Sequence, residues 1–426
     1  MNKIIVLFLV ILFQSQYLSS TETSKQVLKA PAEFRARGGL PNFFTKISRG
    51  ESIKVAYLGG SITAQEGWRV LSLDWFKKRY PGAAFSEINA AIGGTGSDFG
   101  VFRLKDHVLK FKPDLVFVEF AVNDDNTPAN KIIRSMEGIV RQIWKQNPHT
   151  DICFVYTLTE QDIPAELTGQ LPSSVRTMEK VADKYQLPSI NFGSEVTKMI
   201  KNKNLIMRGN NTEINGIKVF SCDGVHPFPE TGHQIYCEAL KRSFEIMNIG
   251  SKSKTKMHLL TKPLAPDYFS NTQMVDITQV KLSKNWQVLQ IADQPAFHSF
   301  GKFLEKFGKA EQTGETLTVC FKGRTIGVYD IMGPDAGKVV VEVDGFVRDT
   351  ISRFDRFCTY RRMNYFLIDN LAFKPHKVVF HVVTEPFDKA AILRNNDERI
   401  SNPADYSENN WYVGKILIDG TLISPN

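Results

Sequence analysis

Residues 55–63, with the sequence VAYLGGSIT, place four apolar residues directly before two glycines and a serine. A short apolar run that stops at glycine is typical of a buried strand in a parallel sheet. Three later runs have the same character and occupy residues 85–92, 115–122 and 152–158. The first half of the chain is therefore predicted to contain at least four buried strands.

A helical pattern separates the last two of these runs. Residues 131–146 carry apolar side chains at helical spacing: Ile132, Ile133, Met136, Ile139, Val140, Ile143 and Trp144. Strand and helix thus alternate, which predicts a parallel sheet covered by helices on both faces. In such a sheet ligands bind at the carboxyl ends of the strands, so the residues that follow each strand become candidates for a site.

The second half of the chain has a different hydrophobic pattern. Residues 251–256 are polar and unpatterned, two prolines follow, and beyond them the hydrophobic period becomes two. Asp344-Gly345 is a hairpin signal after one alternating run, and the same dipeptide recurs as Asp419-Gly420. We expect an all-β sandwich of jelly-roll type here. The predicted organisation is a signal peptide at 1–20, a first domain at 21–250, a linker at 251–268 and a second domain at 269–426.

The first twenty residues resemble an export signal. Lys3 precedes an unbroken apolar run at residues 4–13, and small residues follow at Ser19 and Ser20. We therefore expect the chain to be exported, to the periplasm or the exterior. No later run reaches the roughly 18 apolar residues of a membrane-spanning helix, so the mature chain is predicted to have no integral membrane segment.

Composition narrows the function further. The 53 basic and 45 acidic residues give a net charge of +8, but no block of like charge concentrates it, so a nucleic-acid partner is not expected. The glycines at 93–96 lack the Lys-Ser/Thr ending of a phosphate loop, and no cofactor is predicted. Five cysteines are an odd number; a Cys222–Cys237 bridge is conceivable, although buried free thiols are favoured.

Polar residues at the strand ends supply the parts of an acyl-transfer site. Ser61 follows the first strand, and Asp223 and His226 occur together before the last helical pattern. A serine hydroxyl needs an imidazole to take its proton, and the imidazole needs a carboxylate to orient it. The backbone N–H groups of Ser61 and Gly94 and the Asn123 side-chain amide are candidate donors to the oxyanion. A helix that begins near Ser61 would direct its positive end to the same place.

Four blocks carry a family resemblance: Gly-Gly-Ser61-Ile-Thr, Ile92-Gly-Gly94-Thr-Gly-Ser, Ala121-Val-Asn123-Asp and Asp223-Gly-Val-His226-Pro. In this order they resemble the SGNH, or GDSL-type, hydrolases. The resemblance implies a flavodoxin-like three-layer α/β/α fold and esterase activity. It also implies that Ser61 is the nucleophile, that His226 is the base with Asp223 as its partner, and that Gly94 and Asn123 donate to the oxyanion.

The chain departs from the family pattern at two positions. Gly60 stands where the family name implies an aspartate, and Ala121 replaces a glycine two residues before Asn123. Neither change removes a catalytic group.

The second domain resembles a different group of proteins. Residues 327–335, followed by 339–345, are similar to β-sandwich accessory domains attached to carbohydrate esterases. This resemblance implies that an acylated carbohydrate, most simply an acetylated polysaccharide, is the substrate. Trp411 and Tyr412 are candidates to stack on sugar rings, with a place in the β-sandwich core as the alternative.

Several alternatives stay open at this stage. Glu230 and His233 repeat the acid-to-histidine spacing, although His233 is expected to begin a helix, whereas Pro227 keeps His226 in a loop. A metal site of Cys222, His226 and His233 fits no common zinc spacing. Trp68 and Arg69 either line the pocket or pack the first helix. The rival functions are a lipase or lysophospholipase, an acyltransferase, and a sugar-binding protein with an inactive first domain.

Overall fold

The computed structural model describes residues 32–250, 254–394, 400 and 402–423. The predicted signal peptide, residues 1–20, lies outside the described residues, as do residues 251–253 of the predicted linker. Among the described residues, no helix has the length and apolar character needed to cross a membrane.

A mixed six-stranded sheet forms the centre of the first half of the chain. Its strands are β1 (Phe34–Arg35), β2 (Ile53–Gly59), β3 (Phe85–Asn89), β4 (Leu115–Glu119), β5 (Asp151–Tyr156) and β6 (Ser189–Asn191). They lie in the order β1-β6-β5-β4-β2-β3, with β1 antiparallel to β6 and the others parallel. Counted along the chain, the five parallel strands have the order 2-1-3-4-5, which is the flavodoxin-like topology. The predicted fold of this half is confirmed.

Helices cover both faces of this sheet. They are α1 (Pro41–Ser48), α2 (Ser61–Ala64), α3 (Trp68–Arg79), α4 (Ser97–His107), α5 (Ala129–Gln146), α6 (Ile163–Leu167), α7 (Ser173–Tyr185), α8 (Gly193–Lys201) and α9 (Gly232–Ile249). Leu58 and Val118 point to the side of α4, α5 and α7, whereas Tyr57 and Phe117 point to the side of α1, α3 and α9. Alternate residues of each strand thus reach opposite cores, which explains why the strands are apolar throughout.

A small second sheet leads the chain to the candidate site. It contains β7 (Leu205–Arg208), β8 (Glu213–Ile214) and β9 (Ile217–Ser221), in the order β7-β9-β8. The residues between β9 and α9 form a loop, and this loop carries Asp223 and His226. The hydrophobic pattern gave no sign of this sheet, because its strands have two to five residues each.

The second half of the chain is an all-β antiparallel structure, as predicted. Its strands are β10 (Thr272–Asp276), β11 (Lys281–Leu282), β12 (Gln287–Gln290), β13 (Lys306–Ala310), β14 (Thr316–Met332), β15 (Lys338–Val343), β16 (Phe346–Ser352), β17 (Arg362–Ile368), β18 (Lys374–Val383) and β19 (Trp411–Leu422). One short helix, α10 (Lys389–Arg394), follows β18. The jelly-roll topology and the domain boundaries stay predictions.

The two Asp-Gly pairs behave differently. Asp344-Gly345 joins β15 to β16 with φ values of +53° and +88°, so the predicted hairpin turn is present. Asp419-Gly420 is not a turn but lies inside β19, opposite a register irregularity between Gly323 and Thr325 of β14. Gly420 has φ +148° there, and its backbone passes so close to Lys322 that a side chain would clash.

Trp411 and Tyr412 belong to the core and do not form a sugar platform. Their exposed fractions are 1% and 3%. Trp411 packs with Trp286 and Phe380, and the Tyr412 hydroxyl donates to Asp335.

One hydrophobic core runs through both halves of the molecule. The cluster that fills the α4 and α5 side of the parallel sheet continues into Phe297, Phe307 and Leu417 of the β structure. The Phe99 ring of α4 lies 4.8 Å from Tyr329 and 4.7 Å from Tyr365. The β half is therefore joined to the first half through buried apolar surface.

The five cysteines are all free thiols in the described structure. Cys237 is buried in α9 and Cys222 is exposed, and the conceivable bridge between them is not formed. Burial raises the pKa of Cys237 to about 12, which keeps this thiol protonated.

Candidate active site

Ser61 lies at the turn between the end of β2 and the start of α2. Gly60 caps the helix, and a Cβ atom built on it would come within 1.9 Å of the Asn123 Oδ1 atom. No side chain fits there while Asn123 keeps its position. This contact gives a physical reason why glycine stands where the family name implies an aspartate.

The structure brings Ser61, His226 and Asp223 together in a line. His226 Nε2 lies 2.8 Å from Ser61 Oγ, and His226 Nδ1 lies 2.7 Å from Asp223 Oδ2. Ser61 and His226 are 165 positions apart in the sequence, whereas Asp223 and His226 are three positions apart. The order is that of a nucleophile, a base and an orienting carboxylate.

The Asp223 carboxylate is held by the backbone of its own loop. Its Oδ1 atom accepts the N–H groups of Val225 and His226, each at 2.8 Å. Partial burial raises the pKa of Asp223, but the hydrogen bonds from His226 and these backbone groups outweigh it and lower the pKa below its ordinary value. The carboxylate is thus ionised at neutral pH, as an acceptor for the His226 Nδ1–H must be.

Gly224 shapes this loop. It has φ +79°, a conformation that favours glycine, and its N–H donates to Ser221 Oγ at 2.9 Å. Its carbonyl accepts the N–H of Glu160 at 2.7 Å. The reversal at Gly224 allows Asp223 and His226 to face each other across three residues.

The predicted oxyanion donors surround Ser61. Ser61 is the first residue of α2, so its N–H has no partner within the helix. A Cβ atom on Gly93 would lie 3.5 Å from that of Ser61, and Gly94 adopts φ +70° in the same turn. The Asn123 amide lies against Gly60. The helix begins where we expected, but α2 has only four residues, so its dipole adds little.

A buried carboxylate that the sequence did not reveal supports this turn. Glu119, at the end of β4, is 1% exposed and accepts the hydroxyls of Thr63 and Thr157 at 2.8 and 2.7 Å. Burial raises the pKa of Glu119. Thr63 is part of the Gly-Gly-Ser61-Ile-Thr block, but nothing in the sequence links it to Glu119, which lies 56 residues away.

His233 does not join the line of Ser61, His226 and Asp223. It is fully buried at the start of α9, its Nδ1 accepts the N–H of Trp68 at 3.1 Å, and its Nε2 lies 3.2 Å from Gln65 Oε1. Burial lowers the pKa of His233 to about 4, with the charges of His226 and Arg69 adding to the effect. The Glu230–His233 alternative is therefore wrong in its geometry, and His233 is a neutral packing residue.

Trp68 and Arg69 pack inside the first half of the chain and do not line the cleft. Trp68 is fully buried against Tyr57 and Phe117, and the Arg69 guanidinium donates to the Thr63 carbonyl at 3.0 Å. The described residues contain no group of three or more side chains arranged to hold a metal ion. The set Cys222, His226 and His233 is accordingly not assembled.

A cleft of about 640 Å³ opens above the line of Ser61 and His226. One wall comes from the first half of the chain and the other from the β structure. The lining residues are Ser61, Ile92, Gly93, Gly94, His226, Phe300, Asp355, Phe357, Tyr360, Arg361, Arg362, Met363 and Asn364. Sequence reasoning missed every residue of the second wall, because these residues lie in a short 3₁₀ helix, a loop and a strand that carry no motif.

The second wall is aromatic and charged, but its charges are neutralised. Phe357 and Tyr360 are 41% and 60% exposed. Arg361 pairs with Asp335, and Arg362 pairs with Asp355. A neutral polar ligand with apolar faces suits such a wall better than an anion does.

Comparisons with known proteins find a matching family profile and solved structures of similar fold. Residues 57–234 match the profile of the GDSL-like Lipase/Acylhydrolase family. A two-domain esterase (CEX) active on acetylated mannans, crystallised with mannopentaose, is similar in fold, with a TM-score of 0.67 and 20% identity over 90% of this chain and 94% of that one. The same esterase in a second crystal structure gives a TM-score of 0.68 and 20% identity, over 91% and 96% of the two chains. No curated protein matches the chain.

Proposed function

We propose that this chain is an SGNH-type ester hydrolase, which the match of residues 57–234 to the GDSL-like Lipase/Acylhydrolase family supports, and that it is a serine esterase that removes acetyl groups from a carbohydrate. The single observation that carries the serine mechanism is the continuous line from Ser61 Oγ through the His226 ring to Asp223, with distances of 2.8 and 2.7 Å.

The mechanism has two half-reactions. Ser61 Oγ attacks the ester carbonyl carbon while His226 Nε2 takes its proton, and Asp223 stabilises the imidazolium through Nδ1–H. The C–O bond to the sugar then breaks, and His226 returns the proton to the leaving hydroxyl. A water molecule attacks the acetyl-Ser61 carbonyl in the same way, and acetate leaves as Ser61 recovers its proton.

The oxyanion of each tetrahedral intermediate needs preorganised donors. The Ser61 and Gly94 N–H groups and the Asn123 amide are proposed for this role. Loss of one such donor typically slows an enzyme by about 10²- to 10³-fold.

The choice of a carbohydrate rests on the shape and chemistry of the cleft. Exposed Phe357 and Tyr360 offer faces on which sugar rings stack, and Asn364 offers polar groups beside them. The similar two-domain esterase acts on acetylated mannans, which supports the same substrate class here. We propose residues 21–250 as the catalytic domain and 269–426 as an accessory domain that completes the cleft.

Export follows from the same proposal. A polysaccharide substrate lies outside the cytoplasm, and residues 1–20 are the proposed signal peptide. N-terminal sequencing of the mature chain recovered from the expression host tests this: a start near Thr21 supports it, and an intact Met1 on the exported or retained chain contradicts it.

The enzymatic test compares ester hydrolysis by the full chain with that of its Ser61→Ala variant. The substrates are p-nitrophenyl acetate, butyrate and octanoate, followed by acetylated manno- and xylo-oligosaccharides. We expect preference for acetate and a loss of at least about 10⁴-fold in Ser61→Ala. Ser48→Ala, an exposed serine on α1, is the matched control and should retain full activity.

Other outcomes contradict the proposal in distinct ways. Preference for octanoate would favour a lipase. Equal activity of wild type and Ser61→Ala would exclude Ser61 as nucleophile. Transfer of acetyl to an added sugar acceptor, without release of acetate, would identify a transferase.

A further inference from the structure

The turn that carries Gly94 is held at one end by its own residues. We call residues 92–97 the oxyanion loop. The Thr95 hydroxyl donates to the Ile92 carbonyl at 2.8 Å and closes the loop on itself. The Ser97 N–H donates to Asp124 Oδ1 at 3.0 Å, which ties the loop to the residue after Asn123. The Gly94 N–H and the Asn123 side-chain amide, which are the proposed donors to the oxyanion, are thus connected through the Ser97–Asp124 hydrogen bond.

A tyrosine from the other half of the chain reaches the same loop. Tyr365 lies on β17, and its hydroxyl accepts the Gly96 N–H at 3.3 Å. The same hydroxyl donates to Asp98 Oδ1 at 2.5 Å. Lys131 pairs with the other oxygen of Asp98 at 2.6 Å. The hydroxyl is therefore oriented by a fixed carboxylate, so its lone pair faces the Gly96 N–H.

Packing holds the tyrosine ring rigidly in place. The ring stacks on Phe99 of α4 at 4.7 Å with an interplanar angle of 14°. Burial, together with Asp98, raises the pKa of the Tyr365 hydroxyl well above its ordinary value, so it stays a proton donor. Asp124 and Tyr365 also pack closely around Gly96. A Cβ atom at this position would lie 2.5 Å from Asp124 Oδ1 and 3.5 Å from the Tyr365 hydroxyl, so no side chain fits there.

We propose that Tyr365 is a positioning residue for the hydrolytic reaction, which fixes the oxyanion loop from the accessory domain so that the Gly94 N–H faces the developing oxyanion. The inference rests on the proposed serine esterase function. Tyr365 does not line the cleft and acts through Gly96, two residues after Gly94.

The proposal predicts a specific kinetic signature for Tyr365→Phe. This change removes one hydroxyl and keeps the ring on Phe99. A loosened donor stabilises the transition state less but leaves ground-state binding unaffected, so kcat should fall about 10-fold while KM stays within about 2-fold. The rate of Ser61 inactivation by diethyl p-nitrophenyl phosphate should fall in parallel, because its phosphoryl oxygen occupies the same site.

Tyr329→Phe is the matched control. Tyr329 pairs with Tyr365 across the two strands and its ring also contacts Phe99, but its hydroxyl bonds to Met363 and not to the loop. Its kcat should remain within about 2-fold of wild type. All rates are expressed per active site, counted from the p-nitrophenol released in the organophosphate reaction, so that loss of folded protein does not enter the comparison.

Asp98→Asn provides a second variant should Tyr365→Phe fold poorly. It removes the charge that orients the hydroxyl, and kcat should fall about 3-fold at constant KM. If Tyr365→Phe and Asp98→Asn both match Tyr329→Phe while wild type is active and Ser61→Ala is not, the positioning role is wrong and the serine esterase stands. If wild type neither hydrolyses the ester nor reacts with the organophosphate, the proposed function itself fails.

Discussion

Two short regions of this protein have the same acid-to-histidine spacing but differ in the burial and the partners of the histidine. Asp223 and His226 lie in the loop after β9, where their side chains are 43% and 37% exposed. Glu230 and His233 lie seven residues further on, and His233 is fully buried in the first turn of α9. The first histidine reaches Ser61, and the second accepts the N–H of Trp68. Spacing alone nominates candidates, but burial and partners decide which histidine can exchange protons.

Removal of each histidine ring in turn should give the largest difference between the two regions. His226→Ala should lower kcat for p-nitrophenyl acetate by at least about 10⁴-fold, because His226 is the base that contacts Ser61 Oγ, at 2.8 Å. His233→Asn should keep kcat per active site within about 3-fold and lower the free energy of unfolding by about 2 kcal/mol. Steady-state kinetics with active-site counting, together with urea unfolding, measures both. A reversal of the two results would make His233 the base.

The acidic partners give the next largest contrast. Asp223→Asn should lower kcat by about 10³-fold, since the neutral amide neither fixes the His226 tautomer nor stabilises the imidazolium. Glu230 is exposed, and Glu230→Gln should leave kcat unchanged. The measurement is kcat at saturating p-nitrophenyl acetate for the two variants side by side. Equal losses would show that the charge of the loop, and not the contact at 2.7 Å, is what matters.

The third contrast concerns stability against pH. Burial lowers the pKa of His233 to about 4, whereas an unfolded histidine titrates near 6.5. Between these values the unfolded chain binds a proton that the folded chain does not, so the free energy of unfolding falls as the pH drops from 6.5 to 4. The His233 contribution to this loss is about 3 kcal/mol.

Urea unfolding of wild type and His233→Asn at pH 7.5 and pH 4 measures that contribution as the difference between the losses of the two proteins, together with the coupling of His233 to His226 and Arg69. The variant should lose about 3 kcal/mol less than wild type on acidification. Parallel losses would mean that the buried ring is protonated in the folded protein, contrary to its packing.

Local sequence was sufficient for strands β2 to β5 and for the helix between β4 and β5, but not for the small sheet of β7, β8 and β9. The apolar strands are continuous because both of their faces are buried, and the helix at residues 129–146 presents a single apolar stripe. The flavodoxin-like order of the strands was available through the family resemblance. The predicted site residues were identified by their joint order at strand ends, and the structure brings them together; their chemical roles stay predictions.

What the sequence did not reveal are features built from distant contacts. Tyr365 lies 269 residues from Gly96, and Arg134 lies 235 residues from Asp369, with which it pairs at 2.9 Å. No spacing rule links residues at such separations. The Asp419-Gly420 pair was misleading, because a dipeptide that favours turns lies here inside β19, at a register irregularity of its pairing with β14.

The core shared by the two halves has a consequence for attempts to treat the molecule as a set of modules. Phe297, Phe307 and Leu417 are buried against side chains of the α/β half. A truncation after α9, or a transplant of the β half onto another enzyme, would expose this apolar surface to water on both fragments. The two halves should therefore melt in a single calorimetric transition, and engineering of substrate choice should proceed by changes within the cleft wall of the intact chain and not by exchange of domains.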